Sequence, residues 1–277
     1  MEKIDYKKTA TEIRKKILDM KLMSQSSHIG SDFSCVDILT VLYFKILKLN
    51  IKNPKEENRD RFILSKGHAA SALYATLAQR GFFPKEILKT YCQDGSKLAG
   101  HTIKDCVPGV EVSTGSLGHG LPIGNGMALA AKKDTKIHRV FVLISDGECD
   151  EGSNWEAALF ASHHKLDNLT AIIDYNKIQS FGKTNEVLNL EPLKQKWESF
   201  GWQVKEVDGH NFKELEKILL GIPFKKNYPS IIIAHTIKGS GGQTACNIFE
   251  DKLEWHYKSP NQEIYENAIR LLNQEKM

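Results

Sequence analysis

The residues best suited to chemistry are polar groups that directly follow two apolar segments. Asp146-Gly147 follows the apolar run at 140–144, and Asn176 follows shortly after the run at 169–173. β-branched runs of this kind, bounded by polar residues, are typical of buried parallel strands. Ligands of open α/β sheets bind beyond the carboxyl ends of the strands. We therefore expect Asp146 and Asn176 to meet at one edge of a sheet.

This pair predicts a metal and phosphate site. A carboxylate oxygen and an amide oxygen are hard ligands that suit Mg²⁺ holding a diphosphate. Gly147 has no side chain, so the backbone there can come close to a phosphate oxygen. The alternative is that Asp146 simply caps the helix that follows it. The second polar strand end, at Asn176, favours the metal site.

Four of the ten histidines share a local setting, in or beside a loop with glycine, serine or an aromatic neighbour: His28, His68, His101 and His256. Taken singly, each is more often a structural or surface histidine. Together, beside a metal–diphosphate site, they predict imidazoles that bind phosphate or sugar hydroxyls and move protons near neutral pH. We expect helix ends or surfaces for His138, His163, His164 and His210.

The elements that must position these residues alternate between helix and strand. This alternation predicts a parallel sheet with right-handed crossovers, flanked by helices, in one domain spanning 1–277. A glycine-rich turn at 113–120 opens a helix and would present backbone amides to an anionic or polar ligand. We predict helices at about 6–22, 36–49, 69–80, 124–133, 153–164, 212–220 and 262–273, and strands at 61–65, 140–144, 169–173, 203–207 and 230–235.

Composition excludes several classes of protein. The chain has 277 residues, 41% hydrophobic and 26% charged, which is typical of a globular α/β protein. Its net charge of +4 comes from dispersed basic residues, so we expect no nucleic-acid partner. Since we find no signal peptide and no apolar run long enough to span a bilayer, we expect a cytoplasmic protein with no membrane contact. Five cysteines without close pairs indicate free thiols rather than disulfides or a zinc site.

In their order along the chain, these segments resemble the N-terminal part of transketolase. The resemblance covers nearly the whole chain and therefore implies the thiamine-diphosphate-binding fold, in its diphosphate-binding (PP-type) form, with thiamine diphosphate and Mg²⁺ as cofactors. The Asp146-Gly147 and Asn176 segment looks like the family's GDG motif followed by asparagine. The other matching blocks are SSHIG at 26–30, SKGHA at 65–69, GH at 100–101, TGSLG at 114–118 and WH at 255–256.

The resemblance also implies a role for each matching residue. Mg²⁺ would be held by Asp146, Asn176 and the carbonyl oxygen of Ile178. The cofactor would contact His68, Gly147, Asn176 and His256, with Gly115, Ser116 and Leu117 on its aminopyrimidine side. His28 and His101 would face the donor ketose, and with His68 and His256 they form the candidate catalytic set. Glu151 matches a glutamate at the family's subunit contact.

The sequence departs from the family pattern at several positions. Ser145 replaces the first glycine of GDG, Asp32 lies in the loop after His28, and Tyr257 replaces the glycine after the final histidine. The segment 239–244 also differs. We expect these changes to affect substrate choice more than cofactor binding.

In this family, the glutamate that protonates the aminopyrimidine lies in a second domain. The chain therefore resembles the first half of a split transketolase, which transfers a two-carbon ketol unit from a ketose to an aldose. We expect it to act only with a C-terminal subunit that carries the pyrimidine-binding domain, in an α₂β₂ heterotetramer. Apolar surface around Leu117, Leu121 and Ile123 would be covered in that assembly.

Other interpretations remain open. The chain could serve another thiamine-diphosphate enzyme, of the deoxyxylulose-phosphate synthase or dehydrogenase E1 kind. It could also be a non-catalytic cofactor-binding subunit, although intact Asp146, Gly147 and Asn176 argue against a decayed site. A Rossmann dehydrogenase is disfavoured because no G-x-G-x-x-G opens the first strand–helix turn.

Overall fold

The computed structural model describes residues 4–275, in which helices and strands alternate along most of the chain. The helices are α1 (Tyr6–Ser24), α2 (Ile29–Ser34), α3 (Val36–Val41), α4 (Ala70–Arg80), α5 (Gly120–Lys133), α6 (Gly152–His163), α7 (Thr184–Val187), α8 (Leu193–Ser199), α9 (Phe212–Leu220) and α10 (Gln262–Leu272). The strands are β1 (Arg61–Leu64), β2 (Val140–Ser145), β3 (Leu169–Tyr175), β4 (Ile178–Gln179), β5 (Gly182–Lys183), β6 (Gln203–Asp208) and β7 (Ser230–His235).

Five of the strands form one parallel sheet in the order β1-β2-β3-β7-β6. The central strands β2 and β3 are buried along their whole length, as expected for a parallel sheet that is covered on both faces. Ser145 pairs in register with Asp174, so β2 and β3 end at the same edge. The predicted parallel sheet with flanking helices is confirmed.

Helices cover both faces of the sheet, because alternate side chains of each strand point to opposite sides. On one face, Phe141, Leu143 and Ile172 join a core made with α1, α3, α4, α9 and α10. On the other face, Val142, Ile144 and related residues pack with α5, α6 and α8. The result is a three-layer arrangement that holds the strand ends in fixed positions.

Several predicted element boundaries were wrong. The helix expected at 36–49 ends as an α-helix at Val41 and continues as one wider π-helical turn, Leu42–Ile46. Residues 29–31, expected in a loop, belong to α2, and the helix expected from Gly124 begins at Gly120. The β4–β5 hairpin and α8 were not predicted, since two-residue strands and a seven-residue helix carry little periodicity.

The structure bears on two expectations drawn from composition. All five cysteines are free, and burial raises the pKa of the Cys149 thiol well above its ordinary value, which makes Cys149 a poor nucleophile. Within residues 4–275, no helix is both long enough and apolar enough to cross a membrane.

Candidate active site

A cavity of about 190 Å³ lies at the carboxyl ends of the central strands. Asp146 follows β2 and Asn176 follows β3, so both reach this cavity from neighbouring parallel strands. The cavity brings together most of the site residues predicted from the sequence: His28, His68, His101, Gly115, Leu117, Asp146, Gly147, Asn176, Ile178 and His256. Ser116 is exposed and does not line it.

Asp146 is a buried carboxylate, and within residues 4–275 no side-chain cation lies in hydrogen-bond contact with it. One of its oxygens accepts from the backbone N–H of Gly147 at 2.7 Å, and the other accepts from the N–H of Lys177. Burial and the nearby Asp174 carboxylate raise the pKa of Asp146 to about 6. A buried carboxylate in this environment is stabilised by a cation at its free lone pairs.

Two neutral oxygens lie beside Asp146. The side-chain oxygen of Asn176 accepts from the N–H of Ile178 at 3.2 Å, and the Ile178 carbonyl accepts from the Lys238 ammonium at 2.6 Å. Residues 4–275 contain no cluster of three or more His, Cys, Asp or Glu side chains suited to a metal. One carboxylate with amide and carbonyl oxygens is instead a donor set that fits Mg²⁺, which takes few protein ligands and completes its shell with phosphate and water.

A buried ion pair lies beneath this group. Lys66 and Asp174 are both fully buried and in direct contact, and the Lys66 ammonium also donates to the Ser31 carbonyl at 3.0 Å. Burial disfavours the charged form of Lys66, but Asp174 outweighs this and raises the Lys66 pKa. In the same way, Lys66 outweighs the burial of Asp174 and lowers its pKa. The pair places fixed charges at the cavity, which Lys66 itself lines.

Four histidines form one wall of the cavity. The His28 ring lies 4.8 Å from the ring of His256, 5.4 Å from that of His68 and 6.0 Å from that of His101, measured between centroids. His28 has a left-handed backbone (φ +77°) and its N–H donates to the carbonyl of His256 at 3.1 Å. This contact connects the start of α2 to the short 3₁₀ helix Leu253–His256.

The histidine rings are held neutral. Burial, followed by the charges of His256 and Lys21, lowers the pKa of His28 to about 3. Burial and Lys238 lower the pKa of His256 to about 4, and the pKa values of His68 and His101 are lowered chiefly by burial. At neutral pH the wall therefore presents uncharged imidazoles that can both donate and accept hydrogen bonds.

The glycine-rich turn before α5 packs tightly against this wall. Gly115 has φ +143°, and a Cβ atom there would lie 3.0 Å from the His101 ring. A Cβ on Gly67 would lie 2.7 Å from the Gly115 nitrogen, so the 65–69 segment also touches the turn. Glu148 fixes the turn from below by accepting from the Gly118 N–H at 2.9 Å. Glycines at 67 and 115 are therefore required for the cavity's shape.

Of two expectations about other residues, one was incomplete and one was wrong. His210 lies at a helix end, directly before the N-cap Asn211 of α9, but its ring contacts the buried Asp37 carboxylate and accepts from the N–H of Ile237. Leu121 is fully buried inside the chain, so it cannot contribute to an apolar surface, whereas Ile123 is 37% exposed.

Six residues that line the cavity have no cofactor or catalytic role predicted from the sequence: Ser31, Lys66, Ser145, Gln179, Ser180 and Lys238. Lysines are usually solvated, so a single sequence gives little reason to place Lys66 and Lys238 inside. The one available signal was position, since Lys66 follows β1 and Lys238 follows β7 at the same carboxyl edge as Asp146.

Comparisons with known proteins agree with this site. Residues 6–252 match the family described as transketolase, thiamine diphosphate binding domain. An apulose-4-phosphate transketolase subunit of Phocaeicola vulgatus is 43% identical over 257 residues, covering 93% of this chain and 90% of that protein. The 6-deoxy-6-sulfo-D-fructose transketolase subunit of a Clostridium species is 40% identical over 274 residues, covering 99% of this chain and 98% of that protein.

Solved structures show the same relationship. The crystal structure of transketolase from Campylobacter jejuni matches with a TM-score of 0.90 and 32% identity over 99% of this chain. This chain spans only 44% of that transketolase, whereas it spans nearly the whole of the two subunit relatives. The sequence match, the fold and the cavity show that the chain belongs to the transketolase family of transferases and carries that family's thiamine diphosphate-binding domain.

Proposed function

We propose that this chain is the diphosphate- and metal-binding subunit of a two-chain transketolase. It would transfer a two-carbon ketol unit from a ketose to an aldose with thiamine diphosphate and Mg²⁺. The observation that carries the proposal is one cavity in which the Asp146 oxygens lie with two neutral oxygen donors and a wall of neutral histidines. In a member of the transketolase family, this combination supports cofactor binding on one side and sugar binding on the other.

On the cofactor side, Asp146, Asn176 and the Ile178 carbonyl would hold Mg²⁺. Lys238 lines the same cavity and offers a second positive charge for the diphosphate, while Gly147 lets the backbone approach it. The Lys66–Asp174 pair below keeps these groups in place. When bound, thiamine diphosphate supplies the nucleophilic carbon and the electron sink for cleaving the bond next to the ketose carbonyl.

On the sugar side, the neutral histidines would orient the donor and move its protons. The Nδ1 atom of His28 lies 3.0 Å from the Ser27 hydroxyl, which leaves Nε2 for a donor hydroxyl group. His101 lies across from it at the glycine-rich turn. An uncharged imidazole can accept a hydrogen bond from a donor hydroxyl or donate one to it, which orients the sugar. His68 and His256, which line the same cavity, would contact the diphosphate.

A partner chain is part of the proposal. The relatives from Phocaeicola and Actinobacillus are both named as single subunits of an apulose-4-phosphate transketolase, and this chain matches nearly their whole length. We propose a C-terminal subunit with the pyrimidine-binding domain as the partner, in an α₂β₂ assembly. Glu151 is exposed at the start of α6 and would lie at the subunit contact. The five free thiols support a reducing compartment, and we propose the cytoplasm.

Calorimetry tests the cofactor site. Asp146→Ala removes the only carboxylate among the proposed metal ligands, so thiamine diphosphate binding in the presence of Mg²⁺ should weaken at least tenfold, which corresponds to about 1.4 kcal/mol. Asp167→Ala is the matched control, since Asp167 pairs with Lys132 before β3, at the opposite edge of the sheet. Near-native affinity in Asp146→Ala would rule out the metal assignment.

A further inference from the structure

A buried charged cluster outside the cavity has no role in the function proposed above. Arg14 on α1 contacts both oxygens of the Asp37 carboxylate on α3, at 2.8 and 3.0 Å, and neither side chain is more than 1% exposed. The Nδ1 atom of His210, in the loop between β6 and α9, lies 2.7 Å from the same carboxylate. Burial opposes the charge on Asp37, but Arg14 and His210 outweigh it and lower the Asp37 pKa to about 2. We call these three residues the Arg14–Asp37–His210 cluster.

The cluster holds the segment after β7 at two points. The backbone N–H of Ile237 donates to Nε2 of His210 at 2.9 Å, and Nε of Arg14 donates to the carbonyl of Ser240 at 2.9 Å. Lys238 lies between these two anchors, and its side chain lines the cavity. The backbone on either side of Lys238 is thus held by a side chain of the cluster, the His210 ring on one side and the Arg14 guanidinium on the other.

The segment after β7 packs closely against Arg14 and against neighbouring backbone. Gly242 has φ +69°, and a Cβ atom there would lie 2.7 Å from a terminal nitrogen of Arg14. Gly239 donates to the Gly30 carbonyl at 2.9 Å, and a Cβ on Gly239 would lie 2.1 Å from the Phe249 carbonyl. The segment cannot shift without moving these neighbours.

The hydrogen bonds fix the state of His210. Because Ile237 N–H is a donor, Nε2 of His210 must be an unprotonated acceptor, and Nδ1 must carry the proton that it donates to Asp37. A glutamine at this position offers the same pair of functions, with an amide N–H for Asp37 and an oxygen for Ile237. A leucine offers neither function at similar size.

We propose that the Arg14–Asp37–His210 cluster positions Lys238, and so sets how strongly the cavity holds a diphosphate. The inference rests on the proposed function, since it concerns the same anionic ligand. His210 and Arg14 do not reach the cavity themselves, so they act as positioning residues through the 237–240 backbone.

Paired variants of His210 test the proposal in the full chain. Binding of thiamine diphosphate with Mg²⁺, measured by calorimetry, should be at least fivefold weaker for His210→Leu and within twofold of wild type for His210→Gln. Hydrogen exchange of the amides at 237–242 should be faster in the leucine variant and unchanged in the glutamine variant. Arg139→Met is the stability control, because it breaks a partly buried pair with Asp60 at the opposite edge of the sheet. It should lower stability and leave affinity within twofold.

The outcomes separate this inference from the proposed function. No cofactor binding by the wild type would refute the proposed function, and the exchange rates would still report whether His210 fixes the segment. If the wild type binds the cofactor and His210→Leu shows the same affinity and the same exchange rates, only this inference is overturned. If His210→Leu does not fold, Arg14→Lys serves instead: it keeps a charge for Asp37 but cannot also hold Ser240, and it should weaken binding at least threefold. Wild-type affinity in that folded variant would overturn the inference.

Discussion

Mild acid should destabilise this protein through its buried histidines. An unfolded histidine has a pKa near 6.5, whereas in the folded chain the pKa is about 3 for His28 and about 4 for His256, and well below the ordinary value for His68. Between these values the unfolded chain binds more protons than the folded chain. The free energy of unfolding therefore falls as pH falls below about 7 and rises again as pH is restored.

The size of the effect at pH 5.5 follows from the unfolded pKa. Because pH 5.5 lies above the folded pKa values of His28 and His256, both rings stay neutral in the folded chain at this pH. Each ring therefore lowers the free energy of unfolding at pH 5.5 by about 1.4 kcal/mol relative to pH 7.5. The two rings of His28 and His256 together give about 3 kcal/mol, and partial solvation at the cavity mouth reduces this to about 2 kcal/mol. The lowered pKa of His68 acts in the same direction. Asp146 acts in the opposite direction, because its pKa is raised to about 6 and its burial costs less once it is protonated.

A comparison of single variants isolates the histidine effect, since Asp146 is common to all of them. Urea unfolding of wild type and His28→Gln at pH 7.5 and 5.5 should show a smaller pH-dependent loss in the variant, by about 1 kcal/mol. His163→Gln, on the exposed side of α6, should behave as wild type. An equal loss in wild type and His28→Gln would refute the assignment of His28 as a ring held neutral.

Two further predictions concern the cavity. His28→Ala and His101→Ala should lower turnover of the assembled enzyme while sparing cofactor affinity, because we propose that both contact the donor sugar, whereas His68→Ala should also weaken thiamine diphosphate binding in calorimetry. Equal loss of cofactor affinity in all three would contradict this division. Lys66→Met should lower the free energy of unfolding by about 3–5 kcal/mol, since it leaves the buried Asp174 carboxylate without its partner. A loss below about 1 kcal/mol in urea unfolding would show that the pair is not structural.

The sheet and its polar edge could be predicted from the sequence for a physical reason. The buried strands β2 and β3 are continuous apolar runs, and the carboxyl ends of parallel strands lie at one edge, so the proximity of Asp146 and Asn176 could be predicted from the sequence. The glycine-rich turn and the loop histidines were placed by their family resemblance and local setting. Their roles in catalysis remain predictions.

The buried charges could not be predicted in the same way. Lys66 lies 108 residues from Asp174, and a lysine or arginine on a helix normally indicates a solvated face. Whether such a residue is buried depends on a partner that only the tertiary structure supplies. The same reason explains why the contact of the His210 ring with Asp37, 173 residues away, could not be predicted from a position that indicated only a helix end or a surface.

Ketol transfer by the assembled enzyme tests the central claim most directly. The chain, its co-purifying partner and their mixture would each be assayed with thiamine diphosphate, Mg²⁺, a ketose donor and an aldehyde acceptor. We predict transfer of a two-carbon unit only by the mixture, with loss of that activity when Asp146→Ala replaces the wild-type chain. Full activity from the rigorously purified chain alone would contradict the two-chain account.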